Sequence, residues 1–256
     1  MERLSLQEVD VDYSIKKGDF KAVRNLNLQI NGGEFICIIG RSGCGKTTTL
    51  YAVAGLNPVS NGRILVDGEE IRGPSAERGM VFQNDSVFPW LTVEQNVMYG
   101  LKLKGMKRAE MQSIVQHYLN LVGLWEARNL YPRELSGGMR KRVDLARAFA
   151  NDPQVLLMDE PFGSLDAMTK EALQVSILQL WQESKKTVLF VTHDVEEALF
   201  LSQRTIVMVG PPGRVERITE VPFSYPRDIG LKIKPDFLSL RAELMDSLAT
   251  DARASQ

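Results

Sequence analysis

Residues 40–48 read GRSGCGKTT, a glycine-rich stretch closed by one lysine and two threonines. It fits the spacing G-x-x-x-x-G-K-[ST] residue for residue. It also follows the apolar run FICII and precedes the helix-compatible TTTLYAVAGL, the setting in which that spacing carries meaning. Backbone N–H groups of such a loop wrap phosphate oxygens, and the helix start behind them adds partial positive charge. Gly40, Arg41, Ser42, Gly43, Cys44, Gly45, Lys46, Thr47 and Thr48 are therefore candidate phosphate-binding positions. Lys46 would reach the outer phosphates, and the Thr47 hydroxyl would ligate Mg²⁺. Cys44 has two readings: a thiol activated by Lys46 and the helix start, or a small residue filling a tight loop.

A phosphate loop alone does not make a hydrolase, and VLLMDE (155–160) supplies what is missing. Four apolar residues of a buried strand end in two carboxylates. Asp159 is placed to complete a Mg²⁺ shell, and Glu160 to orient or deprotonate an attacking water. In VLFVTHD, His193 emerges from the end of another apolar strand; in a parallel sheet such ends share one edge, where ligands bind. A second anion-ready helix start stands at LSGGM (135–139), leading into RKRVDLARAFA.

The elements that must position these residues follow from periodicity. From Leu4 to about Leu65, apolar and polar residues alternate as in β-strands, and NGGE makes a turn before FICIIG. From about 84 to 150 the pattern is helical: Thr92 and Gln95 have capping-box spacing, and Met111, Ile114, Val115, Tyr118, Leu119 and Val122 recur at helical intervals. After Pro153, apolar strand runs alternate with helical stretches, which predicts a mostly parallel α/β sheet. Beyond PPGRV (211–215) the tail is Pro-rich, then weakly helical, with no assigned chemistry.

Composition excludes several classes. A 44% hydrophobic, 25% charged chain is globular rather than disordered. With 31 basic and 32 acidic residues the net charge is −1, which gives no electrostatic reason to expect nucleic acid. The apolar runs are strand-length, no signal-peptide core stands at the start, and Cys37 and Cys44 have no metal-type spacing. The reducing cytosol is the expected compartment.

The set GRSGCGKT, LSGGM, VLLMDE and VTHD, in this order, resembles the nucleotide-binding subunit of an ATP-binding cassette (ABC) transporter over residues 1–215, with 216–256 as a tail of unassigned role. The resemblance implies a P-loop (RecA-like) α/β core, an antiparallel β subdomain and an inserted helical subdomain at about 84–150. It also implies ATP and Mg²⁺ as ligands, and two cassettes meeting head to tail. Ser136, Gly137 and Gly138 would then contact the γ-phosphate held by the opposite chain. Gln83 would touch Mg²⁺ or the attacking water, Asp166 would lie in the loop between the two sites, His193 would hold the γ-phosphate, and Tyr13 would stack on adenine. Two departures stand out: Met139 where the commonest signature has Gln, and Ser164-Leu165-Asp166 where the commonest aspartate loop has Ala-Leu-Asp. Neither removes a phosphate-contacting backbone N–H.

VFPWLTVEQNV, YPRELSGGMR, DEPFGSLDAMT and THDVEEAL are similar to the wording of nitrate, sulfonate and taurine importer ATPases. That implies a bacterial uptake system for a small anionic solute. Its partners would be a second ATPase subunit, membrane permease subunits and, indirectly, a solute-binding protein, and the chain would sit peripherally on the cytoplasmic face of the inner membrane. Phe88 and Trp90 either pack the helical subdomain or line the permease-docking groove. Two other classes fit the sequence less well. A soluble cassette acting on nucleic acid or ribosomes usually has paired cassettes or a coiled-coil insert, and this chain has neither. A non-enzymatic module would lack Glu160 or Lys46, and both are present.

Overall fold

The computed structural model describes residues 2–15, 18–163 and 165–254; Ser164, one of the departures noted above, lies outside the described residues. The chain forms two units, Met1–Ser75 with Lys186–Gln256, and Ala76–Lys185. The first opens with strands β1 (Glu2–Ile15), β2 (Gly18–Asn31) and β3 (Phe35–Ile39), helix α1 (Lys46–Ala54), and strands β4 (Asn61–Val66) and β5 (Glu69–Glu70). The second holds β6 (Arg78–Val81), α2 (Val93–Leu103), α3 (Arg108–Leu121), α4 (Gly137–Ala150), β7 (Val155–Asp159) and α5 (Ala167–Ser184). The chain then completes the first unit with β8 (Thr187–Thr192), α6 (Val195–Leu201), β9 (Arg204–Val209), β10 (Arg214–Glu220) and α7 (Pro235–Ala254).

In the first unit, β1, β2, β4 and β5 form an antiparallel sheet in the order β2-β1-β4-β5. The alternation read from the sequence is the cause: Leu4, Leu6, Val9 and Val11 turn into the core, with a register shift between Leu6 and Val9. Beside it, β3 pairs in parallel with both β8 and β9, and β10 returns antiparallel to β9. Every residue of FICII is buried, as a strand covered on both faces requires. Ile39 pairs with Thr192, so the loops after β3 and β8 leave the same carboxyl edge side by side. That edge sets Gly40 next to the exit of His193.

In the second unit, β6 and β7 run in parallel with Val81 opposite Met158, which brings Gln83 and Glu160 out at one edge. The helices between them start where the sequence says. Thr92 Oγ1 accepts from the Gln95 N–H while the Gln95 side chain accepts from the Thr92 N–H, the reciprocal cap that stops fraying. Met111, Val115, Leu119 and Val122 are buried along one face. Among the described residues, no helix is long and apolar enough to cross a membrane.

Candidate functional site

The glycine-rich loop of the first unit is shaped by its own chain. A side chain at Gly40 would press a Cβ to 2.4 Å from the Met208 carbonyl oxygen and 2.5 Å from Cys44 Sγ. Gly45 caps α1 at φ +95, a conformation that favours glycine, with no side-chain cap over the helix start. A helix start of this kind carries partial positive charge that favours an anion. Lys46 is 6% exposed, its Nζ donating to the carbonyls of Gly40 (2.8 Å) and Arg41 (3.0 Å). The ammonium is thereby held across the loop mouth. Cys44 is fully buried beneath Gly40, which favours the loop-filling reading over an accessible thiol.

Arg41, Ser42, Gly43 and Thr47 are exposed on the loop, and Thr48 is half-buried. The Tyr13 hydroxyl lies 3.3 Å from Thr48 Oγ1 and accepts from Asn57 Nδ2 at 2.6 Å, so the ring stands beside α1. Phe20 is its cross-strand partner on β2, and both rings are partly exposed. His193 is exposed between two fixed neighbours: the Asp194 N–H donates to Thr192 Oγ1 at 3.0 Å, and Asp194 caps α6.

The second unit gathers the remaining candidates. Asp159, 3% exposed, ends β7, and Glu160 follows in the left-handed region at φ +41. A non-glycine residue is uncommon in that region and marks a tight local turn. A Cβ at Gly163 would meet Gln83 Nε2 at 3.4 Å, so the Gln83 side chain lies against the turn that Glu160 begins. Asp166 caps α5 by accepting from the Thr169 N–H at 3.0 Å, and hydrogen bonding from Thr169 holds its carboxyl below the usual carboxylate range. Ser136 caps α4 the same way, accepting from the Met139 N–H at 3.2 Å. The two starts meet where a Cβ on Gly138 would strike Thr169 Cγ2 at 2.3 Å. At Gly137, by contrast, a Cβ would find only the Arg140 guanidinium, at 3.8 Å.

Thr47, Gln83 and Asp159 offer a hydroxyl, an amide oxygen and a carboxylate, and among the described residues no group of three His, Cys, Asp or Glu side chains could cage a metal. Each is an oxygen donor of the kind Mg²⁺ takes, an ion that binds through few protein oxygens and otherwise keeps waters and phosphate oxygens.

Residues 23–163 match the ABC transporter family. The chain belongs to that family. It is an ATP-binding ABC ATPase, on the P-loop fold its sequence implies. It is 45% identical over 241 residues to the nitrate import ATP-binding protein of Synechocystis sp., covering 91% of this chain and 90% of that one. It is 41% identical over 256 residues to the taurine import ATP-binding protein of Roseobacter denitrificans, covering 97% and 94%. A solved dimeric ATP-binding cassette in a post-hydrolysis state with ADP and Pi superposes with a TM-score of 0.76 at 31% identity, covering 86% of this chain and all of the other.

In this ABC ATPase the sequence reading missed a polar stripe on α4. Lys141, 1% exposed, donates to the carbonyls of Phe82 (2.9 Å) and Gln83 (3.1 Å), the backbone that bears the candidate glutamine. Asp144 accepts from the Ser86 N–H and hydroxyl, both at 3.0 Å, and Arg147 Nη1 donates to the Ser86 carbonyl at 2.8 Å. Burial pushes the Lys141 ammonium down and the Asp144 carboxyl up from their ordinary values, against the pull of their opposite charges. Charges at 141, 144 and 147 in MRKRVDLAR were the available signal, since i,i+3 spacing puts them on one helix face. Next to the stripe is an apolar cleft of about 580 Å³ lined by Met80, Phe82, Phe88, Tyr99 and Leu103, with Arg147 over the Phe88 ring at 5.2 Å. Trp90 stands 69% exposed, 5.5 Å from Phe88.

Proposed function

We propose that this chain is the ATP-hydrolysing subunit of a bacterial importer for a small anionic solute of the nitrate or taurine kind. It works as a pair with a second cassette, on the cytoplasmic face of the membrane, against separate permease subunits and, indirectly, a solute-binding protein. The observation that carries the chemistry is the shape of the loop at 40–48: a glycine-rich turn that leads into a helix start, with the buried Lys46 ammonium held across it. Its relatives' nitrate and taurine import names support the solute class.

In this reading Tyr13 stacks on adenine, which an aromatic face beside α1 suits. The N–H groups of the loop and of the first turn of α1 take the phosphates, and Lys46 exchanges its carbonyl partners for phosphate oxygens, a stronger charge-assisted bond. Thr47, Gln83 and Asp159 would hold Mg²⁺, which when bound would neutralise charge on the outer phosphates. Glu160 takes the proton of a water that attacks the γ-phosphorus in line, the bond to the leaving ADP oxygen breaks, and His193 steadies the γ-phosphate oxygens. Ser136, Gly137 and Gly138 serve the ATP of the neighbouring chain, with Asp166 at the boundary of the pair. Gly137 supports this reading: among the described residues only the Arg140 guanidinium, at 3.8 Å, comes near a Cβ placed there, so the position has room for a group from outside.

The apolar cleft next to Gln83 is the seat for the permease. The exposure of Trp90 argues against its being mere packing, and the stripe on α4 ties the cleft wall to the LSGGM helix start. Phosphate release by the purified chain tests the chemistry. Glu160→Gln should bind ATP normally and hydrolyse it roughly 10²–10⁴-fold more slowly; hydrolysis equal to the parent would remove Glu160 from the role of base. Trp90→Ala should leave the isolated chain folded and able to hydrolyse ATP, yet uncouple uptake when reconstituted with its permease; loss of folding would return Trp90 to a packing role.

A further inference from the structure

The segment after β10 takes no part in the chemistry above, yet it brings two buried cations, Arg227 and Lys232, against α6. A helix end leaves its last carbonyls without partners. Here the tail supplies them one after another. Arg227 Nη1 donates to Leu199 O (3.0 Å), Phe200 O (3.0 Å) and Ser202 O (2.8 Å), and the Tyr225 hydroxyl donates to Leu201 O at 2.7 Å. Burial pushes the Tyr225 phenol well up, so it remains a donor at physiological pH. The fork is itself immobilised: Arg227 Nε and Nη2 both donate to Phe223 O, and the guanidinium lies 4.0 Å over the Tyr225 ring. Near the other end of α6, Lys232 Nζ is 3.1 Å from the Glu196 carboxylate.

The start of that helix is tied just as closely to His193. The Thr192 hydroxyl donates to the buried Glu197 carboxylate and accepts the Asp194 N–H at 3.0 Å. Asp194 Oδ1 in turn accepts the Glu196 N–H at 2.8 Å. The Thr192 side chain before His193 and the peptide N–H after it are thus tied to the first turn of α6. A displacement of α6 along its axis must displace His193.

We infer that residues 223–232 are a brace that sets His193 through α6, with Arg227, Tyr225, Thr192 and Glu197 as positioning residues for ATP hydrolysis. Hydrophobic packing would cover the helix end without desolvating a guanidinium, and such replacements often stabilise. What the guanidinium adds is a fixed distance to three carbonyls, which sets axial position. The inference rests on the proposed contact of His193 with the γ-phosphate.

The test uses the fact that the chain has two histidines, His117 and His193. With ¹³C-labelled histidine in the full-length Glu160→Gln protein, His117→Gln assigns the two ring signals, and Mg-ATP should shift that of His193. In Tyr225→Phe, Arg227→Lys or Thr192→Val the shift should shrink or broaden. With Glu160 restored, kcat should fall roughly 10-fold at unchanged ATP affinity, because sub-ångström misplacement costs rate rather than binding. Thr192→Ser, which keeps the hydroxyl, should restore both readouts.

His193→Ala separates the two claims. If Mg-ATP leaves His193 unmoved in the parent and His193→Ala hydrolyses normally, the reading of His193 is wrong and the brace falls with it. If His193 responds and His193→Ala is impaired, but the tail and Thr192 variants keep the parent shift and kcat, the brace alone is overturned. Should Arg227→Lys fail to fold, Tyr225→Phe and Thr192→Val decide the matter.

Discussion

The chain carries two glycine-bearing helix starts, and they are built on opposite plans. At 40–48 its own atoms demand the glycines: Gly40 lies under the Met208 carbonyl, and Gly45 takes a φ of +95. No side chain caps that helix, and a buried lysine waits beside it. At LSGGM the helix already has its cap in Ser136, and only the second glycine is demanded from within, by Thr169. A Cβ on Gly137 would meet only the Arg140 guanidinium, at an ordinary contact distance of 3.8 Å. The glycines of the first site are fixed by the chain's own packing and backbone conformation, whereas at the second only Gly138 is. Spacing alone makes the two motifs look alike, and the atoms around each glycine tell them apart.

The contrast can be broken by substitution, beginning with the largest effect. Lys46→Ala should weaken ATP binding roughly 10–100-fold, the loss of a charge-assisted bond of about 1.5–3 kcal/mol, measured by titration with a fluorescent ATP analogue. Unchanged affinity would show that the loop lysine faces its own carbonyls in the complex too. The next effect divides the two neighbouring glycines. Gly138→Ala should lower stability by about 1–3 kcal/mol, since its Cβ overpacks against Thr169, read from denaturant midpoints. Gly137→Ala should leave stability nearly unchanged while impairing hydrolysis that depends on a second cassette. Equal destabilisation by both would erase the distinction.

Much of this was legible in the sequence because it is local. The loop, the caps at Thr92 and Ser136, and the carboxylates ending VLLMDE are each written in fewer than about ten consecutive residues, and each motif carries its own physics. The buried strands were legible from unbroken apolar runs. What stayed hidden depends on partners far apart in the chain. Lys141 and the Gln83 carbonyl it holds are 58 positions apart, and Arg227 and the Leu199 carbonyl 28. A lysine or arginine in a polar stretch reads as solvated surface until the fold brings carbonyls to it. The φ of +41 at Glu160 was equally invisible, because glutamate has no preference for that region.

The central claim is that LSGGM acts on the neighbouring chain's nucleotide, and ATP-driven dimerisation measures it most directly. Two ATP molecules held between chains stabilise the pair by mass action, and Glu160→Gln preserves them by blocking hydrolysis. Light scattering should therefore report a dimer for Glu160→Gln with Mg-ATP and a monomer without it. Adding Ser136→Arg, which puts a long cation where a γ-phosphate must sit, should abolish the dimer while ATP still binds through Lys46 and Thr47. A double variant that binds ATP and dimerises as well as Glu160→Gln would contradict the account and leave LSGGM a helix cap alone.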